Sequence, residues 1–440
     1  MEIKLPWGNK EIRINTPAKW EFLGEIKSDY LGTNKALSKI EEVELIRRSL
    51  LNPIKKKPLS QIKLSDKKIT VVVDDLARRT PVDIIFPEVL SELHKGGAKK
   101  ENIDIIIALG THRFMTEKEI EIRLGNNYSD DYNIINHNCY DKNMLKFVGK
   151  TSKNTDVSIN RFVVEADIVI LIGIIEPHAL AGFGGGLKNV IPGCAGIDTI
   201  ATTHLHGSVF ERINSIGKIG EECYSRILLE EGAQLIKGDY FLVNTVLYPE
   251  GEISGVFTGD PIIAHRQGSK LAAKIYGSKL DKKADIVITS SFPMDTDLRQ
   301  GVKCLETING AVKENGLVIA CIRCKYGAGD IEIPPYLLDP PAMQLFSREI
   351  GVTKLVDIRK KTWGKMSLDS RFMLELLTEL CRRYSILVYA PDLSPDAARK
   401  LGVFEHFSKI DKLIEKAVEI KPGKKTFYAI PKGAITYIKN

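Results

Sequence analysis

The run Ile174-Ile-Glu-Pro-His-Ala-Leu-Ala-Gly-Phe-Gly-Gly-Gly-Leu-Lys-Asn-Val-Ile-Pro-Gly193 decides how the rest of the chain is read. It closes an apolar stretch, residues 168–175, that stops at Glu176 and Pro177, the pattern of a buried strand ending at a polar edge. His178 follows at once, then Gly182, the triplet Gly184, Gly185 and Gly186, and Lys188. Glycines let the backbone turn its N–H groups toward one point, which is how a peptide cradles a phosphate. The stretch is not a P-loop, because no Ser or Thr follows Lys188 and the glycine spacing differs. Gly182-x-Gly184 alone is a weak dinucleotide signal, and the blander alternative is a glycine turn ending in a solvated lysine.

Histidines follow other strand-like runs. The chain has 8, and His112 lies in Gly110-Thr-His-Arg113, directly after the apolar residues 103–109. His178 opens the glycine loop, and His204 lies in Thr203-His-Leu-His206, inside a helix expected after Pro192-Gly193. In open α/β sheets ligands bind outside the carboxyl ends of the strands, so His112 and His178 are expected to face one crevice. His94, His137, His265 and His406 are read as satisfied core or surface residues.

At 440 residues the chain exceeds what one core usually organises, so two domains are expected. Hydrophobic residues at 43% and charged residues at 27% are those of a soluble globular protein. No apolar run approaches the roughly 20 residues of a membrane span, and charges interrupt Met1-Glu-Ile-Lys-Leu-Pro-Trp7 where a signal peptide would be apolar. The expectation is a cytoplasmic protein. A net charge of +7 comes partly from lysine pairs and triplets beside turns, without the aromatic series that stacks on nucleic acid, and an anionic small substrate suits it as well. Seven scattered cysteines make no disulfide framework, and Cys321-Ile-Arg-Cys324 alone is weak evidence for zinc.

Strands are expected at 69–73, 103–109, 132–136, 168–175, 240–247 and 252–258, with helices at 84–95, 117–124, from about 196, and at 221–235. Alternation restarts with strands at 284–290, 317–321, 386–389, 426–430 and 434–438 and helices at 296–314, 368–384 and 409–417. This predicts two α/β domains with mostly parallel sheets, 1–262 and 277–440, joined by a connector helix at 263–276, with the active site in the interdomain cleft. Pro334-Pro335 and Pro340-Pro341 mark an irregular stretch.

Asp75-Leu-Ala-Arg78, Gly110-Thr-His-Arg113, Glu176 to Gly193, His204, and Gln300 with Lys303 together resemble the nickel-dependent lactate racemase family. His178 and Lys188 stand ten residues apart, and His178 and His204 twenty-six, as in that family. The resemblance covers nearly the whole chain, most strongly residues 70–210. It implies a racemase or epimerase of 2-hydroxy acids carrying a nickel-pincer nucleotide, a pyridinium mononucleotide bearing sulfur groups, made by dedicated maturation enzymes. By that resemblance Lys188 holds the cofactor covalently beside the Gly182, Gly184, Gly185 and Gly186 loop, His204 is the nickel ligand, and Asp75 lies near the nucleotide. His112 and His178 match the family's two bases, while Arg78, Gln300 and Lys303 match substrate-binding residues.

The chemistry is coherent with those residue types. A hydrogen beside both a hydroxyl and a carboxylate is poorly acidic, so its loss as hydride avoids a dianion and leaves a flat 2-keto acid. Return of hydride to either face inverts the centre. The hydroxyl proton then needs bases, and histidine suits exchange near neutral pH. A guanidinium such as Arg78 grips a carboxylate by two parallel hydrogen bonds. Gln300 and Lys303, three apart, are expected on one helix face.

The chain departs from the family at Arg79, where a proline is expected, at Arg299 for a tyrosine, and at Arg371 for a tryptophan. Arg299 and Arg371 suggest malate-like diacids or polyhydroxy acids over lactate as substrates. Two other readings stay open: an NAD-type 2-hydroxyacid dehydrogenase, which lacks the acidic residue at the proper distance, and a non-catalytic nickel- or nucleotide-binding protein.

Overall fold

The computed structural model describes residues 1–28, 30, 37–205, 215–329, 376–377, 379–397 and 404–439, with the side chains of residues 204 and 205 outside the description. The chain divides into two compact units, each built on a six-stranded sheet.

The first unit spans residues 37–205 and 217–275. Its central strands, Ile69–Asp74 and Ile168–Ile174, are buried at every position. Uninterrupted apolar runs are what a parallel strand covered on both faces requires. The strand order is Ile253–Gly259, Asp239–Leu247, Ile168–Ile174, Ile69–Asp74, Ile103–Ala108, Asn133–Asn136. All pairings are parallel except that of the edge strand Ile253–Gly259. Helix Val82–Lys95 buries Ile85, Phe86 and Val89 against Val71, Val73, Ile105 and Ile107. Helix Glu117–Leu124 starts at a capping box in which Thr116 and Glu119 satisfy each other's backbone N–H.

From Ile69–Asp74 the chain first adds strands on one side, then crosses to Ile168–Ile174 and Asp239–Leu247 on the other. The reversal therefore falls between Ile69–Asp74 and Ile168–Ile174, and the loops leaving their carboxyl ends part to form the ligand-binding crevice of such sheets.

The second unit has strands in the order Glu405–Phe407, Ser385–Tyr389, Val312–Cys321, Ala284–Ser290, Lys425–Ile430, Trp20–Glu25, all parallel. This corrects the expected domain boundary: residues 1–28 belong with residues after 276 and not with the first domain. The cause is burial. Trp20 and Phe22 pack on Phe427, with ring centroids 6.1 and 5.0 Å apart. The hairpin of Glu2–Trp7 and Lys10–Asn15 sinks Ile3, Leu5 and Ile14 among Ile286, Ile288 and Ile319 of the same sheet. Helix Ile263–Tyr276 forms where the connector was expected, and up to Ile275 it belongs to the first unit.

The helix expected over 296–314 is instead two four-residue turns, Leu298–Gly301 and Lys303–Glu306, and the next strand begins early, at Val312. Gly310, at φ +94°, ends the helical path ahead of that strand. The hairpin of Leu145–Lys150 and Asp156–Asn160 escaped the sequence reading because its first strand is half exposed and lacks an apolar alternation. All seven cysteines are buried and none is in a disulfide among the described residues, as expected of ordinary thiols. No helix among the described residues is long and apolar enough to cross a membrane. The proline-rich stretch at 334–341 and most of the helix expected at 368–384 lie outside the described residues.

Trp20→Ala should therefore destabilise the unit that contains residues 284–430, by about 3–5 kcal/mol. Urea unfolding followed by a probe in each unit checks this, and loss confined to the first unit would refute the assignment.

Candidate active site

Three adjacent strands, Ile168–Ile174, Ile69–Asp74 and Ile103–Ala108, deliver polar side chains to one carboxyl edge. Behind that edge Asp74 is buried, bonded by the Arg123 guanidinium and by Thr80 Oγ1 at 2.6 Å. Burial pushes the Asp74 carboxyl up, and Arg123 and Thr80 offset this only in part. Arg123 also donates to the carbonyls of Asp74 and Thr80, at 2.8 Å each, so it clamps the turn leaving the strand.

Asp75 points the other way. Its Oδ1 accepts the Ala77 N–H at 3.0 Å, and its Oδ2 accepts from His112 Nδ1. Burial alone would raise this carboxyl, but the His112 imidazole, then Arg78 and Arg123, hold it well below the usual carboxylate range. The resemblance put Asp75 near a nucleotide; its observed partner is the histidine. The His112 turn is anchored in turn: His112 N–H donates to Leu109 O at 2.8 Å, and Gly110, at φ +58°, donates to Gly193 O at 2.9 Å.

From the third strand comes Glu176, only 3% exposed. Its carboxylate lies 4.0 Å from Arg78 Nη1 and 3.7 Å from Arg79 Nε, and among the described residues its Oε2 accepts no hydrogen bond. Arg79, a departure from the family, is thus turned toward Glu176, and its Nη1 reaches Pro249 O at 3.4 Å. His178 starts a two-residue ladder with Gly182–Phe183, and its Nδ1 accepts the N–H groups of Leu180 and Ala181 at 3.2 and 3.3 Å.

Two N–H groups of the glycine loop, read from the sequence as a phosphate cradle, turn to acceptors within the protein. Gly184 N–H is spent on Glu176 O at 2.7 Å, and Gly186 N–H on Asn244 Oδ1 at 2.7 Å. Its glycines are needed for inward packing: a Cβ on Gly185, at φ +70°, would come within 2.4 Å of Asn244 Oδ1, and one on Gly186 within 2.9 Å of the His265 ring. Buried Arg226 donates to the carbonyls of Ala181 at 3.3 Å, Gly185 at 3.0 Å and Phe183. His265 takes Gly184 O at 2.8 Å, so it is the satisfied core residue expected. Burial lowers the Arg226 pKa to about 10, and Glu230, 3.8 Å away and itself held by Arg266, works against that fall.

Lys188 sits half-buried on the turn Gly186–Asn189, which packs on Ile168–Ile174 and Ile69–Asp74, the two strands flanking the reversal. The edge therefore gathers Asp75, Arg78, His112, Glu176 and His178, and the turn that carries Lys188 packs on two of its strands. His204 falls in helix Ile197–Leu205 with its side chain outside the described residues, as are His206 and Arg371 entirely. Among the described residues no three His, Cys, Asp or Glu side chains form a metal cage.

Gln300 and Lys303 belong to the second unit and sit on two consecutive short turns joined by Val302, itself in the right-handed helical region. Gln300 is buried, its backbone N–H bonded to Asp297 Oδ1 at 2.9 Å and its Oε1 without a hydrogen bond among the described residues. Arg299 and Lys303 are half-buried. Sequence reasoning marked Glu176 as the end of its strand without giving it a role, and it missed Arg123, Arg226 and Asn244; the one available signal was an arginine on the otherwise buried face of helix Tyr224–Ala233.

An open, mostly parallel sheet with arginines, a carboxylate–histidine pair and a second histidine at its reversal defines an α/β protein with its cationic and basic side chains gathered at one sheet edge. Residues 7–216 match the lactate racemase N-terminal domain model, and residues 280–438 the lactate racemase C-terminal domain model. The chain belongs to the lactate racemase family. It is 28% identical over 329 residues to a lactate racemase of Thermoanaerobacterium thermosaccharolyticum, covering 74% of this chain and 75% of that one. It is 28% identical over 314 residues to a lactate racemase of Lactiplantibacillus plantarum, covering 69% and 73%. In fold it is similar to the lactate racemase apoprotein of T. thermosaccharolyticum, with TM-score 0.83, 22% identity and full coverage of both chains. It is also similar to a structural-genomics protein of Thermotoga maritima, with TM-score 0.66, 20% identity and 92% and 99% coverage.

His137 ties the segment after the loop to the sheet, its Nε2–H donating to Ala195 O at 2.9 Å and its Nδ1 accepting from Asn160 at 3.2 Å. Burial depresses its pKa to about 4, so the neutral ring is the folded form. Because the folded value lies below the unfolded 6.5, stability is whole above pH 6.5 and falls as pH drops toward 4, by up to about 3 kcal/mol. His137→Gln should remove most of that slope in urea titrations at pH 7.5, 5.5 and 4.5; an unchanged slope would assign it to other groups.

Proposed function

We propose that the protein is a 2-hydroxyacid racemase or epimerase that inverts C2. The observation that carries this reading is that Asp75–His112 and His178 stand with Arg78 at the one sheet edge where the chain reverses. The names of its relatives make lactate the first substrate to try.

Arg78 binds the substrate carboxylate as a charge-assisted, two-point contact. Its side chain is 19% exposed and its nearest carboxylate, Glu176, lies at ion-pair and not hydrogen-bond distance, so its donors are not locked by that pair. The substrate hydroxyl lies against the histidines, which handle its proton. Asp75 fixes the His112 ring and offsets the charge the ring gains on taking a proton.

A nickel-pincer nucleotide fits the residues in one observable respect: the turn bearing Lys188 packs on both strands that flank the reversal, where open sheets hold nucleotides. Lys188 would hold it covalently, and His204 would ligate the nickel. When bound, the group supplies an acceptor for the C2 hydride. The buried Arg226, Asn244 and His265 keep the Lys188 turn in place.

Protein co-produced with cofactor-maturation enzymes should bring a single lactate enantiomer to a racemic mixture without added nicotinamide and without net 2-keto acid. Stoichiometric keto acid that requires NAD would instead establish a dehydrogenase. Mass spectrometry of the same protein should find an adduct on the Lys188 peptide, and His204→Ala should lose nickel while His206→Ala keeps it. An unmodified Lys188 in active protein, or nickel lost only from His206→Ala, would overturn these roles.

A further inference from the structure

Three carboxylates stand at the carboxyl edge of the first sheet, and each has a cationic or basic side chain beside it. Asp74 is taken by buried Arg123, and Asp75 by His112. The third, Glu176, lies against two guanidiniums, Arg78 at 4.0 Å and Arg79 at 3.7 Å. Both distances allow attraction and neither is a hydrogen bond. Among the described residues no other cation lies within ion-pair distance of Glu176.

Glu176 cannot follow a guanidinium outward. Its carbonyl accepts the Gly184 N–H at 2.7 Å, the Ile175 N–H before it donates to Thr245 O at 2.8 Å, and the residue is 3% exposed. Arg78 is fixed at its backbone instead: its N–H donates to Asp75 O at 3.1 Å, and its carbonyl accepts Arg123 Nη1 at 3.2 Å. Its side chain is 19% exposed, so the guanidinium can meet a ligand. A buried carboxylate stripped of its last cation is costly. With Arg78 as its one counter-ion, Glu176 would compete with any carboxylate that came to Arg78.

We propose that Arg79 is a positioning residue that acts through Glu176: it is the standing counter-ion of that carboxylate, and so lets Arg78 take the carboxylate of the substrate. The two guanidiniums and one carboxylate leave one positive charge, which suits one incoming carboxylate. This rests on the proposed reading in which Arg78 binds the substrate carboxylate. Arg79 also donates to Pro249 O at 3.4 Å, which ties it to the turn after strand Asp239–Leu247. A role confined to that turn is the alternative, and Glu176 tells the two apart. If Arg79 acts through the charge of Glu176, removing that charge makes Arg79 dispensable.

The test is a double-mutant cycle read as lactate affinity, by calorimetry on cofactor-free, full-length protein. Arg79→Gln should bind lactate about ten-fold more weakly than wild type, roughly the worth of one charge-assisted hydrogen bond. Arg79→Lys, which keeps the charge, should recover most of that loss. Arg79→Gln combined with Glu176→Gln should return to wild-type affinity or better. Unchanged affinity in Arg79→Gln, no recovery on adding Glu176→Gln, or no lactate bound by any of these proteins would overturn the proposal. Should Arg79→Gln fail to fold, Glu176→Gln alone decides: affinity at or above wild type is expected, and a weaker complex would overturn it. In cofactor-loaded protein the same order should appear in KM, with little change in kcat; a loss in kcat at constant KM would overturn the positioning role. If the affinities follow this order and loaded wild-type protein racemises no 2-hydroxy acid, the counter-ion account holds and the racemase reading fails.

Discussion

A loop of consecutive glycines deep in a protein has carbonyls that water cannot reach, and each must find a donor. Here Arg226 serves Ala181, Phe183 and Gly185, and His265 serves Gly184. One guanidinium, with five donors in a rigid fork, does what several neutral side chains would need separate positions to do. Its charge is tolerable in the core because Glu230 lies beside it and is itself bonded to Arg266 at 2.8 Å. The hairpin bearing His178 and the turn bearing Lys188 both hang from this clamp.

The same logic of paired charges runs along the sheet edge. Asp74 is matched by Arg123, Asp75 by His112, and Glu176 by Arg78 and Arg79. These pairs differ in tightness. Asp74–Arg123 is a closed, buried pair that shapes a turn, whereas Glu176 stands 3.7–4.0 Å from its arginines. A loosely held guanidinium is the one that can exchange its partner for an incoming carboxylate. Arg79 in place of a proline thus adds a partner to Glu176.

Most of the fold could be read from apolar runs, because strands buried on both faces leave a signal that needs no tertiary knowledge. The runs ending at Asp74, Ala108 and Ile174 were found within a residue or two, and with them the places of Asp75, His112 and Glu176. Three things were not legible. Residues 20–25 look like any short strand, and nothing local says that they pair with residues 425–429, four hundred positions away. Glycines announce an unusual backbone without saying whether their N–H groups face a ligand or a neighbouring side chain such as Asn244. Arg226 reads as a solvated helix arginine until the loop it clamps is folded over it.

If the histidines act on the hydroxyl and the carbon-bound hydrogen moves as hydride, that hydrogen never exchanges with water. Racemising 2-deuterated lactate in ordinary water, with cofactor-loaded protein, separates this route from proton abstraction at carbon. The account predicts that both enantiomers recovered at equilibrium keep deuterium at C2. Deuterium lost to solvent at the rate of racemisation would contradict it and would make a histidine the acceptor of the C2 proton.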